Sequence, residues 1–317
     1  MAIIDLSKLP APNVIETLDY ETVLADRKAK LLALVPAELQ SQVDFVLGLE
    51  TEPLTITLQE NAYRELVLRN RINDAAKAVL LAYAVNQDLD QIGARHNVER
   101  LVVVPADPTA IPPVDAVMET DDRFRQRIQM AYDGLTIAGT YGAYAFHALT
   151  ASGRVYDVKV EAPANEVLVV RVNLVDTNNE GIADATLCNL VESYLSAEER
   201  RPLCDIVQAH PVSIINYSYS ATLYCGSGAS INAVKAAAEA ACAIVNASNY
   251  RIGTSLTRSS LLAGLRQSGV ELVDLTVSRA DGQPVQTDGT DDVLIAVDTY
   301  RAAARCTGFT ITAVING

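Results

Sequence analysis

The feature that most constrains the fold is a stretch at residues 54–85 that contains no glycine and no proline, with Pro53 directly before it. Proline suits the first turn of a helix, because the N–H it lacks has no intrahelical acceptor there. Apolar residues recur within the stretch at steps of four and three, which predicts one apolar stripe along a helix. We call this stripe the seam: Leu68, Ile72, Ala75, Val79 and Ala82. A helix of about 30 residues is about 45 Å long, so the sequence predicts a rod that suits a bundle.

Basic side chains also lie along this predicted helix. Glu60 precedes Arg64, and Glu65 precedes Arg69, by four residues, which is the favoured order for a helical ion pair. A solvated helix face is the simpler interpretation for each basic residue alone, although in a bundle some would meet a partner's carboxylates. The sequence leaves both readings open. The predicted interface joins the basic residues to the seam: Arg64, Leu68, Arg69, Arg71, Ile72, Ala75, Lys77, Val79 and Ala82.

A proline-rich segment marks the first predicted boundary. Four prolines fall within nine residues, at positions 105, 108, 112 and 113, and proline interrupts both helices and sheet ladders. We therefore predict an extended connector without regular structure. The predicted organisation is a helical arm at 1–101, this connector at 102–119, a middle α+β domain at 120–212 and a C-terminal α+β sandwich at 213–317.

The two later regions show mixed helix and strand patterns. Residues 155–160 and 167–175 have strand composition and are joined by a short turn, which predicts a hairpin. Residues 212–225 alternate apolar and polar side chains, which predicts a long strand with one polar face. Thr120, Ser230 and either Ser255 or Thr257 are candidate helix caps. With helices predicted at 20–34, 120–131, 184–197 and 230–247, the fold class is α+β, a helical arm followed by two small modules.

Composition excludes several classes of partner. With 25 Lys and Arg against 39 Asp and Glu, the net charge is −14, which opposes binding to phosphate backbones and anionic lipid. We therefore expect no direct contact with nucleic acid or membrane. The start of the chain lacks the pattern of a secretory signal, and no window resembles a membrane span. Five cysteines without a Cys-x-x-Cys pair indicate reduced, mostly buried thiols.

Residues with catalytic potential are sparse. The three histidines lie in separate predicted units, and none has a second histidine at metal-ligand spacing. Asp121 and Asp122 are adjacent on a predicted helix, so they point about 100° apart, and stabilisation of the helix N-terminus explains them more simply. His147 lies on an apolar helix face, which favours a core or interface role. The sequence predicts no catalytic site, no metal and no cofactor.

Several sequence blocks resemble one known family. They run in order along nearly the whole chain: PAP at 10–12, NAYREL at 61–66, RINDAA at 71–76, DDRFRQR at 121–127, GLTIAGTYGAY at 134–144, HAL at 147–149, RPL at 201–203 and RIG at 251–253. The chain resembles the baseplate J family of contractile-tailed phages and related contractile injection particles.

The resemblance implies a structural wedge subunit that assembles around a central hub and spike and rearranges when the sheath contracts. It implies association with an I-type tail protein and other wedge proteins, and self-association within the wedge and within a six-fold baseplate ring. It also implies a place in the virion or tail particle, with manufacture and assembly in the bacterial cytoplasm. A phage, a tail-like bacteriocin and another injection particle all fit.

Two rival functions remain open from the residues alone. A hydrolase using Asp121, Asp122 or His147 would need those groups to converge in one pocket with shifted pKa values. A free-standing adaptor would bind one protein without forming a ring. Copurification with tail components, followed by particle imaging, distinguishes these possibilities.

Overall fold

A computed structural model describes residue 4 and residues 6–10, 12–228, 230–285 and 292–315. Ala11 of the PAP segment and the turn that the sequence indicates at residues 287–289 lie outside the described residues. The chain divides into two compact units. One contains Met1–Glu99 and Asp121–Ile128, and the other contains Arg100–Thr120 and Gln129–Gly317. The fold is mixed α+β, with N-terminal helices followed by α+β modules, as the sequence predicts.

The first unit is helical. Asp19 caps the first helix, since its carboxylate accepts a hydrogen bond from the N–H of Thr22 at 2.8 Å. Pro53 lies in the first turn of the helix that spans Pro53–Ala78. The predicted helix at 20–34 is confirmed, whereas the second helix was not predicted. The helices are α1 (Tyr20–Leu34), α2 (Gln40–Leu47), α3 (Pro53–Ala78), α4 (Asn86–Arg95) and α5 (Asp121–Met130).

Helix α3 ends earlier than predicted. It stops at Ala78, so the prediction of one helix through residue 85 is wrong, and Ala82 lies in the turn beyond it. The guanidinium of Arg125 donates hydrogen bonds to the carbonyl oxygens of Leu81 at 2.7 Å and Ala84 at 2.8 Å. These bonds satisfy carbonyls in the turn, so the chain can leave the helix without leaving them unpaired. An arginine of the 123–127 segment therefore faces carbonyl groups.

The connector contains a short hairpin. Strands β1 (Val102–Val104) and β2 (Val117–Met118) pair antiparallel, and an isolated bridge joins Asp107 to Val114. The prediction that the prolines exclude a sheet ladder from this segment is therefore wrong. The prolines at 105, 108, 112 and 113 fall between the paired strands, where no ladder N–H is required.

The middle module packs two helices on a three-stranded sheet. Strands β3 (Val155–Glu161) and β4 (Val169–Asp176) form the predicted hairpin, and β5 (Ile206–Pro211) lies parallel to β4. Helices α6 (Tyr141–Ala151) and α7 (Ala185–Leu195) begin at the side chains of Thr140 and Asp184. Their apolar faces bury a core against the sheet that includes Leu149, Leu174 and Val191.

The C-terminal module is built on strand β6 (Ser213–Cys225). Tyr217, Tyr219 and Ala221 are buried on one face of it, as the alternation predicts. Strand β6 is central, parallel to β10 (Ala302–Ile315) and antiparallel to β8 (Val270–Arg279). Of the two predicted candidates, Thr257 caps α9 (Arg258–Leu265). The remaining elements are α8 (Ile231–Asn249), β7 (Leu256–Thr257), α9 (Arg258–Leu265), β8 (Val270–Arg279), β9 (Val293–Ile295) and β10 (Ala302–Ile315).

The two α+β modules meet where β5 passes into β6 through the single residue Val212, which is buried. Val212 packs in one apolar cluster with Val175, Ile252 and Ala303. We call this cluster, with the polar contacts beside it, the junction. Because a single buried residue connects the two strands, the two modules share buried surface instead of being joined by a flexible linker.

The RIG segment forms the polar side of the junction. The N–H of Ile252 donates to Oδ2 of Asp157 at 2.8 Å, and Nη1 of Arg251 lies 3.4 Å from Oδ1 of the same carboxylate. Gly253 has φ +79°, and a Cβ there would lie 2.2 Å from the carbonyl oxygen of Thr299. The turn therefore requires glycine. Its three residues fix the C-terminal module against strand β3.

Candidate protein interface on the long helix

Helix α3 uses one face to hold the helical unit together. Thr55, Ala62 and Asn73 are buried on this face. The side-chain amide of Asn73 donates to the carbonyl of Glu16 at 2.9 Å and accepts from its N–H at 3.1 Å. A polar side chain in this position orders the chain that leads into α1.

An ion-pair cluster joins α3 to α1. Arg27 of α1 donates to Glu65, with Nε 2.7 Å from Oε2, and Arg69 donates to the other carboxylate oxygen of Glu65. Arg69 also lies 3.2 Å from Glu16. Hydrogen bonds from Arg27 and then Arg69 lower the pKa of Glu65. Arg69, predicted as an interface residue, is therefore engaged within the folded chain.

Most of the predicted seam faces away from this packed side. Leu68, Ile72 and Val79 are 60%, 61% and 62% exposed, and Ala75 between them is also exposed. A ridge of large apolar side chains on a helix surface leaves substantial apolar area in water. The structure thus brings four seam residues onto one open face, whereas Ala82 is half-buried in the turn after the helix.

A second exposed apolar row was missed by the sequence analysis. Ile56, Tyr63 and Val67 are exposed on α3, at spacings of seven and four residues. Those spacings place them on one face of a helix, so the signal was present in the sequence. Arg64 and Arg71 lie between this row and the seam on the helix surface. The open face of α3 is therefore two apolar rows with arginines between them.

The predicted basic residues differ in their partners. Arg64 pairs with Glu60 at 2.8 Å on the helix surface. The exposed side chain of Arg71 has no hydrogen-bond or ion-pair partner in the described part of the chain, and neither does the half-buried Lys77. An exposed guanidinium beside apolar rows can bind a carboxylate of another chain in two-point geometry.

The groups considered for hydrolysis have structural roles. The carboxylate of Asp121 accepts a hydrogen bond from the N–H of Asn86 at 3.1 Å, and Asp122 pairs with Arg125 at 2.7 Å. His147 packs among rings, with centroids 5.4 Å from Phe146 and 6.5 Å from Tyr194. Burial, and then the charge of Arg200, lower the pKa of His147 and favour its neutral form. This environment is that of a packing residue.

Two further features bear on partners and ligands. No cluster of three or more His, Cys, Asp or Glu side chains suited to a metal occurs within the residues that the structure describes. Likewise, none of the described helices is both long enough and apolar enough to span a bilayer. The five cysteines are free thiols, of which Cys204 is exposed.

Helix α3 thus leaves a large apolar face exposed on a mixed α+β fold, and such faces are typical of proteins that pack against other chains. Family profiles agree: the Baseplate J-like N-terminal domain matches residues 50–107, and the Baseplate J-like central domain matches residues 136–211. Baseplate protein J of Escherichia phage P2 is 43% identical over 281 residues, which cover 89% of this chain and 92% of the phage protein. The chain belongs to the baseplate J family. Its role is structural, in the baseplate of a phage tail particle.

A solved assembly shows a weaker likeness. The cryo-EM structure of the anti-feeding prophage baseplate, six-fold symmetrised, contains a chain with a TM-score of 0.37 and 16% identity. The match covers 61% of this chain and 43% of that chain, so this chain spans less than half the length of that one. A likeness of this size carries no argument about partners.

Proposed function

We propose that this protein is a wedge subunit of a contractile-tail baseplate, assembled around the central hub and spike in the host cytoplasm and rearranged when the sheath contracts. Its membership of the baseplate J family supports the proposal. The observation that carries the wedge role is the open face of α3, since a folded chain that leaves such a face in water gains free energy when another chain covers it.

The open face of α3 binds the I-type tail protein and a second copy of this chain within the wedge. Leu68, Ile72 and Val79 are long apolar side chains, and burying one of this kind contributes about 1.5–3 kcal/mol before the costs of association. Arg71 then meets a carboxylate of the partner, which orients the helices. The expected partner surface is therefore an apolar helix stripe with an acidic residue beside it.

The C-terminal module makes the lateral contacts that close wedges into the ring. The proposed division is the arm at 1–101, the connector at 102–119, the middle domain at 120–212 and the C-terminal domain at 213–317. Strands β8 and β10 are the edges of the three-stranded sheet, and Ile244 on α8 and Leu272 on β8 are exposed. Exposed edges and apolar side chains on a rigid module suit repeated contact between neighbours.

The test of the arm is a double substitution, Leu68→Asp with Val79→Asp, in a strain or expression system that supplies the I-type protein. Both residues are exposed, so circular dichroism and the melting temperature should match the unaltered protein. Copurification of the I-type protein should fall at least tenfold. Retained binding in the folded variant excludes the arm as the wedge contact.

The matched control is Ile244→Asp with Leu272→Asp, which adds the same charge at exposed apolar positions of the C-terminal module. This variant should keep the I-type partner and lose six-fold rings in electron micrographs. Rings from this variant would remove the C-terminal module from the lateral contact. Partner binding that never leads to rings, even in the unaltered protein, indicates an adaptor instead. Deleting residues 213–317 is a poorer test, because it exposes Val175 and Val212 at the junction.

A further inference from the structure

The RPL segment forms a loop whose shape is held by one side chain. After α7, the guanidinium of Arg201 donates hydrogen bonds to four carbonyl oxygens. The acceptors are Ser196 at 2.9 Å, Asp205 at 2.8 Å, and Pro202 and Leu203 at 3.4 Å. A planar guanidinium that satisfies several carbonyls fixes the loop around it. Leu203 lies within this ordered loop, and its side chain is 92% exposed.

A second loop packs against the first. Gly139 has φ +73°, and a Cβ there would lie 2.9 Å from Cγ of Pro202 and 3.0 Å from Oδ2 of Asp205. The hydroxyl of Tyr144 donates to that same carboxylate at 2.7 Å, which ties α6 to the loop. Because position 139 has no side chain, the two loops can pack directly against each other. Leu135 and Ile137 on the second loop are exposed.

A third loop completes the same end of the middle module. The N–H of Ile206 donates to the carbonyl of Leu168 at 2.7 Å, and both side chains are exposed beside Val167. We call the exposed apolar residues of these three loops the tip: Leu135, Ile137, Val167, Leu168, Leu203 and Ile206. An exposed apolar surface on a preordered backbone binds without a large ordering cost, and such surfaces mark interaction sites.

The charged side chains around the tip indicate which kind of partner it binds. Glu198 and Glu199 are exposed just before Arg201 and form no ion pair within the described ranges. Arg200 and Arg201 are half-buried, with their guanidiniums bonded to backbone carbonyls, and Arg171 pairs with Glu166. The exposed charged side chains at the border of the tip are therefore carboxylates. Two copies meeting tip to tip across a two-fold axis would bring like charges together.

We propose that the tip is a docking surface for a different protein of the particle, one with an apolar depression bordered by lysine or arginine. Leu203 is the side chain that enters the depression, and Glu198 and Glu199 meet the basic border. This surface lies within the middle module, and the proposal does not depend on the wedge assignment. It requires the structural role in a particle that the family establishes.

Native particles provide the first test, because Cys204 is an exposed thiol beside Leu203, while Cys188, Cys225 and Cys242 are buried. Alkylation by a maleimide, read at each cysteine by peptide mass spectrometry, should be at least tenfold slower at Cys204 in the particle than in the isolated protein. Equal rates at Cys204 in both samples overturn the proposal.

Substitutions provide the second test. Leu203→Asp should reduce incorporation into particles at least tenfold with an unchanged melting temperature, whereas Leu203→Met should incorporate normally because it keeps an apolar side chain. Glu198→Gln with Glu199→Gln should weaken incorporation and its dependence on salt. Normal incorporation of Leu203→Asp overturns the proposal. A Leu203-dependent dimer of the isolated protein in sedimentation overturns the choice of occupant in favour of a second copy.

Discussion

The junction between the α+β modules and the open face of α3 contain the same kinds of side chain but differ in burial. Both combine branched apolar side chains with arginines. At the junction, Val212 and its neighbours are buried, and Arg251 lies against the carboxylate of Asp157. On α3, Leu68 and Ile72 are exposed, and Arg71 has no side-chain partner in the described residues. Folding buries the first surface and leaves the second in water.

The two surfaces should also differ in whether a substitution affects stability or assembly. A charge placed in the junction must be buried or must force the modules apart, and both outcomes cost free energy of folding. A charge placed on the open face of α3 remains in water until a partner arrives. The same substitution should therefore change folding in one region and binding in the other.

The largest expected effect is that of Val212→Asp. It puts a carboxylate among the apolar side chains of the junction, so the free energy of unfolding should fall by several kcal/mol, on the order of 3–5. Urea denaturation followed by circular dichroism measures it. If Val212→Asp costs no more than Leu68→Asp, the junction is not a closed core and the contrast between the regions fails.

A smaller effect is expected from Asp157→Ala. The N–H of Ile252 and the guanidinium of Arg251 lose their acceptor at a buried position, which should cost about 1–3 kcal/mol. Amide exchange at Ile252 should accelerate as the RIG turn opens. The matched control is Asp26→Ala, which removes an exposed pair with Lys30 and should change stability little. Equal effects of the two alanines would mean that the RIG turn does not hold the modules.

The junction and the ion-pair cluster on the packed side of α3 should respond to acid with opposite sign. Hydrogen bonds from Arg27 and Arg69 lower the pKa of Glu65, so its contribution to stability is present above the ordinary value of 4.5 and is lost as pH falls through the lower folded value. Burial raises the pKa of Asp157 above 3.8, so the folded state gains stability as pH falls through that raised value.

Stability curves of Glu65→Gln and Asp157→Asn, each compared with the unaltered protein between about pH 3 and pH 7, measure these contributions. As the pH falls, the free energy of unfolding of the unaltered protein should decrease relative to that of Glu65→Gln. Over the same range it should increase relative to that of Asp157→Asn. Parallel slopes for the two comparisons would contradict the assigned environments.

The smallest effect on stability is expected from Leu68→Asp and Val79→Asp. Both side chains already lie in water, so the free energy of unfolding should change by no more than about 0.5 kcal/mol each. Differential scanning calorimetry of the purified protein provides the value. A loss comparable to that of Val212→Asp would show that the open face is covered within the isolated chain.

Local chemistry allowed much of the fold to be predicted from the sequence. Pro53 marks the start of α3, the alternation through Tyr217 and Tyr219 identifies the long central strand, and Thr257 caps α9. These signals act between residues that are close in the chain, so they need no knowledge of distant contacts. The family blocks are likewise carried by the sequence itself.

Long-range contacts decided the rest. The carbonyls of the turn after α3 accept hydrogen bonds from Arg125, which is 44 residues from Leu81 along the chain. The contact of Arg69 with Glu16 likewise joins residues 53 positions apart. The tip required three loops from separate parts of the sequence. Periodicity shows which residues of α3 share a face, but which face is left in water depends on what the rest of the folded chain covers, and that information is tertiary.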